Sequence, residues 1–72
     1  MAESAAAKPG FVVFRQDAGE HWELLAEVAR RPGLPAARAR AQAVRDAIGR
    51  EPRPGEVYAA VLRSEWRIAL DH

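Results

Sequence analysis

Residues Leu34 to Gly49 read LPAARARAQAVRDAIG, and the fold turns on this stretch. Pro35 suits the first position of a helix, where its missing N–H would be unpaired in any case, and Gly49 suits the left-handed residue that stops one. Nothing between them breaks a helix, so the spacing predicts one from Pro35 to Ile48. At 100° per residue, Leu34, Ala37, Ala41, Val44 and Ile48 fall on one stripe, the pattern of a helix laid on a sheet. Arg38 and Arg45 border that stripe on one side with Gln42 beyond them, and Arg40 borders it on the other. The back is nearly all alanine: Ala36, Ala39, Ala43 and Ala47.

Upstream, Phe11 to Gln16 is rich in β-branched and aromatic residues, and Asp17-Ala18-Gly19 is a turn cluster, so Phe11 to about Ala29 reads as a hairpin. Its second strand alternates, with Trp22, Leu24, Ala26 and Val28 on one face and His21, Glu23, Leu25 and Glu27 on the other. Trp22 is therefore a core candidate. Arg30-Arg31-Pro32-Gly33 ends that strand. Downstream, Glu51-Pro52-Arg53-Pro54-Gly55 suits neither a helix nor a central strand and reads as an extended connector. Val57 to Leu62 then forms a strand, Arg63-Ser64-Glu65 the turn, and Trp66, Ile68 and Leu70 alternate with Arg67, Ala69 and Asp71 on a last strand.

The expected order is ββαββ, an α+β domain with a four-stranded, mostly antiparallel sheet and the helix across one face. Residues 1–9 are expected to be a flexible N-terminal tail, closed by Pro9-Gly10, and residues 10–72 the single domain. One helix covers one face only. The other must show Leu25, with either Phe11 and Val13 or Val12 and Phe14, and either Tyr58 and Leu62 or Val57 and Val61. The expected interaction face is Phe11, Val13, Leu25, Tyr58 and Leu62, since contiguous exposed apolar surface marks association sites.

Seventy-two residues make one domain with a thin core, because a chain this short buries only about 60% of its unfolded surface. With no cysteine, neither a disulfide nor a thiolate zinc site reinforces it, and oligomerisation is the staple left open. The longest apolar runs, such as Val57 to Leu62, fall far short of the roughly 20 residues that span a bilayer. Met1 to Lys8 lacks the basic and hydrophobic regions of a secretory signal, so a cytoplasmic location is expected. Lys8 is the only lysine, an Arg-for-Lys and alanine bias that a GC-rich genome produces without selection on function.

Catalytic and metal-binding constellations are missing from the sequence. His21 and Glu23 are two apart on a strand, but zinc usually takes three or four protein ligands and the other histidine is His72, at the terminus. Ser64-Glu65 are neighbours in a turn with no histidine to join them, and Gly33 and Gly49 are isolated helix punctuation without a phosphate-loop pattern. No cofactor, metal or small-molecule substrate is implied, and a non-enzymatic protein is expected.

Charge is segregated. Between Arg30 and Arg53, seven arginines face Asp46 and Glu51, a local +5, while the rest of the chain carries four basic and eight acidic residues, a local −4, within a total of +1. Two readings follow. The helix arginines pair with nearby acids such as Asp46 and Glu51, or Arg30, Arg31, Arg38, Arg45, Arg50 and Arg53 hold nucleic-acid phosphates.

In EVYAAVLRSEW, Glu56 to Trp66, and FVVFRQDAGEHWELLAEV, Phe11 to Val28, the chain resembles small uncharacterised proteins of actinobacteria and their phages, with a similar hairpin, helix and hairpin order. The resemblance implies an accessory or virion-associated role and carries over no functional residues. The expectation from the sequence is thus a small protein-interaction or assembly module, a homo-oligomer or a piece of a larger assembly, associating through the uncovered sheet face. The alternative is a nucleic-acid binder using the Arg-rich helix and its flanking loops.

Overall fold

A computed structural model describes residues 9–70. Three strands, β1 (Gly10–Gln16), β2 (Trp22–Ala29) and β3 (Val57–Leu62), form one antiparallel sheet in the order β2-β1-β3. Helix α1 (Ala36–Ile48) carries the chain from β2 to β3, and α2 (Arg63–Leu70) follows β3 directly. The fold is α+β, with the helix between strands where the sequence places it.

β1 is central because its Phe-Val-Val-Phe run tolerates burial on both faces. Phe11, Val12 and Val13 are exposed by 2%, 0% and 0%. Its hairpin with β2 closes on Asp17, whose Oδ1 accepts from the N–H of Gly19 at 2.8 Å and of His21 at 3.0 Å. This Asx-type turn also holds Glu20 in the left-handed region, at φ 64°.

The hairpin departs from strict alternation. Val13 pairs with Ala26, but Phe14 pairs with Leu24, so Leu25 is an extra residue, a β-bulge. Beyond it every side chain of β2 changes face. Leu25 and Val28 pack under α1, whereas Trp22 and Leu24 turn to the opposite side and are exposed by 50% and 46%. Trp22 is therefore not a core residue.

α1 starts after Pro35, whose carbonyl accepts from Ala39 N–H at 2.8 Å. It stops at Gly49, φ 74°, whose N–H returns to the Arg45 carbonyl at 2.8 Å. Its buried stripe is Ala39, Ala43 and Val44, flanked by Ala47 and Ile48, while Ala37 and Ala41 are exposed. The helix is thus turned by roughly a quarter-turn from the expected stripe, at 100° per residue. Bulk explains the difference: Phe11, Val13, Leu25 and Leu62 rise from the sheet, and alanines let the helix backbone approach them.

Among the described residues the expected fourth strand is replaced by a helix. Arg63-Ser64-Glu65 is the first turn of α2, and the segment from Trp66 is helical to Leu70, while Asp71 lies outside the described residues. No Gly, Pro, Asn or Asp lies between Leu62 and Trp66 to reverse a strand. Trp66, Ala69 and Leu70 are also spaced as one face of a helix, so the period-2 reading had a competitor.

Candidate interaction face

The register sorts the apolar residues into two faces. Phe11, Val13, Leu25, Tyr58 and Leu62, the expected interaction face, all pack on the α1 side and form the core with the helix stripe. They are the covered set. The even-numbered residues of β1 point the other way: Val12 stands between Glu27 and Val61, Phe14 between Leu24 and Ala59, and Gln16 between Trp22 and Val57.

This second face is closed at one end. α2 packs against β1 and β3, and the Arg63 side chain passes over Gly10, where a Cβ would stand 3.8 Å from its Cδ, to meet Glu27 Oε1 at 3.0 Å. Glu27 is opposite Val12 on the second face, so the start of α2 lies on that side, and the end of the face holding Val12 is sealed.

Towards the hairpin turn the face is open. Trp22, Leu24 and Val57 are exposed by 50%, 46% and 46%, and Phe14, Trp22, Ala59 and Val61 line a shallow hollow of about 280 Å³. Ala59 leaves the gap because its neighbours are large and it has only a methyl. Gln16, the polar member of this area, turns its Nε2 back towards the Glu20 carbonyl at 3.4 Å. The sequence signal for this face was the Leu24-Leu25 doublet, since two adjacent large apolar residues in an alternating strand serve opposite faces or mark a bulge.

Three of the six candidate phosphate-binding arginines, Arg31, Arg45 and Arg50, are engaged with acids. Arg31 donates from Nε and Nη2 to Asp46 at 2.9 and 2.7 Å, and Gln42 Nε2 donates to the same carboxylate at 3.0 Å. The Arg31 hydrogen bonds, then that of Gln42, hold the Asp46 carboxyl below its ordinary value. Arg45 Nε lies 2.5 Å from Glu51 Oε2 but off the N–H direction, an ion pair rather than a directed hydrogen bond. Arg50 grips Glu56 with both Nη atoms at 2.9 and 2.8 Å, and the Arg53 N–H adds a bond of 2.8 Å. Those bonds, Arg50 first, lower the Glu56 carboxyl to about 2 and raise the Arg50 guanidinium.

Of the six arginines, Arg30 reaches the Leu34 carbonyl at 3.4 Å. Arg38 and Arg53 make no side-chain ion pair among the described residues. Half of the candidate set is thus folded back on acids of the same chain. A phosphate at Arg31, Arg45 or Arg50 must compete with a carboxylate already in place.

Among the described residues, no three His, Asp or Glu side chains converge as metal ligands. His21 belongs to the hairpin turn, 3.7 Å from Asp17 Oδ1, and Ser64 and Glu65 are exposed in α2. No described helix is long and apolar enough to cross a membrane. Comparison of the chain with protein-family models, with curated proteins and with solved structures gives no match.

Proposed function

We propose that this chain is a small non-enzymatic protein-interaction module, docking through the open half of the sheet face turned away from α1. The observation that carries the reading is the coincidence of exposed Trp22, Leu24 and Val57 with the hollow between Phe14, Trp22, Ala59 and Val61. Half-exposed tryptophan and leucine around an apolar depression make the anchor-and-pocket arrangement on which interfaces concentrate their energy. The open area is small. Three strands about 4.8 Å apart, open over two rows of side chains, offer a few hundred Å², well below the ~800 Å² per partner of a standard interface. Its occupant is accordingly a short apolar segment of a partner protein, with one aromatic or branched side chain seated over Ala59.

The test is a selection of random peptides on the wild-type chain, with counter-selection on Leu24→Asp. Enriched peptides are expected to share a Trp, Phe, Leu or Ile anchor and to shift the emission of Trp22 on binding. Peptides that bind the two chains equally would contradict the reading. The nucleic-acid alternative is the weaker one because Arg31, Arg45 and Arg50 are held by acids. Salt-sensitive binding of duplex or single-stranded DNA at low ionic strength, lost on Arg38→Ala, would favour it instead.

A further inference from the structure

Hydrogen bonds beyond the ends of the hairpin fix which way each backbone group of the sheet points. Asp17 N–H donates to the His21 carbonyl at 2.9 Å, and Arg30 N–H donates to the Pro9 carbonyl at 3.4 Å. Odd-numbered residues of β1 therefore exchange bonds with β2, and Val12, Phe14 and Gln16 bond through the register to Val61, Ala59 and Val57 of β3. Tyr58, Ala60 and Leu62 are left with N–H and C=O aimed outward, away from β1. Arg40 agrees with this assignment, because its Nη1 donates to the Ala60 carbonyl while its guanidinium lies 5.5 Å from the Phe11 ring centre.

The two edges of the sheet are not equivalent. β2 carries Glu23, Glu27 and the bulge at Leu25, features that blunt an edge against further pairing. β3 reads VYAAVL: six residues, no charge, no proline, and a continuous register with β1. Its outer side is also where a strand returning from β3 would pair, and the chain instead enters α2. With β3 the one edge left without such features among the described residues of each copy, antiparallel self-pairing closes as a dimer rather than a fibre. The total charge of +1 opposes this little.

We propose that β3 pairs antiparallel with β3 of a second copy of this chain, about a two-fold axis at Ala60, and that Arg40 competes for the Ala60 carbonyl in the unpaired chain. The register closes on itself: Ala60 faces Ala60 of the second copy and Tyr58 faces its Leu62, so every pair joins residues with outward backbone groups. The product is a six-stranded sheet with both α1 helices on one side. On the other side the two hollows lie on one continuous face, joined through Val57, Ala59 and Val61. The edge is a different surface from the hollow, and Leu24→Asp leaves it intact, so this proposal and the docking reading fail separately.

The experiment is mass measurement from micromolar to millimolar chain, with residue-resolved amide exchange. A mass rising to that of two chains is expected, with slow exchange at Tyr58, Ala60 and Leu62 as well as at Val57, Ala59 and Val61. Ala60→Pro removes an outward N–H without touching the β1 ladder and is expected to weaken the dimer at least tenfold. Should its ring disturb packing under α1, Arg40→Met serves in its place. It keeps an apolar stem near Phe11, frees the Ala60 carbonyl in both copies, and is expected to tighten the dimer about a hundredfold, roughly tenfold for the one charge-assisted hydrogen bond that each copy no longer gives up. A chain that stays monomeric at millimolar concentration, wild type and Arg40→Met alike, overturns the proposal. So does a dimer in which Tyr58, Ala60 and Leu62 exchange as fast as open amides, and a dimer that Arg40→Met fails to tighten removes the competition.

Discussion

The sheet face under α1 and the face turned away from it draw on the same central strand, but they differ in what covers them. Under α1, large side chains from the sheet meet small ones from the helix, and Phe11 and Val13 are buried. On the other face Val12 is equally buried, yet two register steps along the hairpin Trp22 and Val57 stand half-exposed around Gln16. The contrast teaches that apolar character alone does not mark a core. An eight-residue helix closes one end of the second face and leaves the other, and the residual apolar surface is where a partner gains most by binding.

The comparison breaks most visibly at Phe11. Phe11→Ala removes a buried ring from a thin core and is expected to cost about 3–5 kcal/mol, enough to unfold much of the population, by urea denaturation followed through circular dichroism. Neighbouring leucines sharpen it. Leu25→Asp sets a charge against the core and is expected to cost roughly 2–4 kcal/mol, whereas Leu24→Asp stays within about 0.5 kcal/mol of wild type. Equal losses at the two positions would remove the bulge, and with it the sorting of the faces.

The orientation of α1 is checked on its alanines. Ala43→Leu overfills the helix–sheet contact and is expected to cost about 1–3 kcal/mol, while Ala41→Leu on the exposed side stays near neutral. The reverse order would restore the stripe through Ala37 and Ala41.

The smallest effect is electrostatic. Glu56 titrates at about 2 in the folded chain against an ordinary 4.5. Its contribution to stability is therefore complete above pH 4.5 and lost as the pH falls from there towards 2. Glu56→Gln is expected to flatten the acid limb of the stability profile in that window while leaving the order of the two faces unchanged. An acid limb identical to wild type would show that the Arg50 pair adds nothing.

Much of this architecture was legible in the residues. Asp17-Ala18-Gly19 marks the hairpin turn, Pro35 and Gly49 bound the helix, and Val57 opens a strand, each because one local conformation needs that residue type. The faces were harder. A bulge leaves the number of residues unchanged and inverts every side chain beyond it, so the alternation through Trp22, Leu24, Ala26 and Val28 assigned two of them to the wrong side. Alanine is the best helix former and also the smallest core residue. Ala39, Ala43 and Ala47 consequently read as a solvent-facing back until the bulk of Phe11 and Val13 opposite them is known. The arginines were legible as a cluster, and pairing with Asp46 and Glu51 was one of the two readings, but which arginine meets which acid, and the Arg50–Glu56 pair, were not, because those contacts depend on how the loops return to the helix.

The docking role of the open face is tested most directly by the affinity of a selected apolar peptide for Leu24→Asp, measured by titration of Trp22 emission on protein shown to keep the wild-type urea midpoint. An affinity at least tenfold weaker in a chain that is still fully folded is the expected result. Undiminished binding by that folded variant would contradict the account.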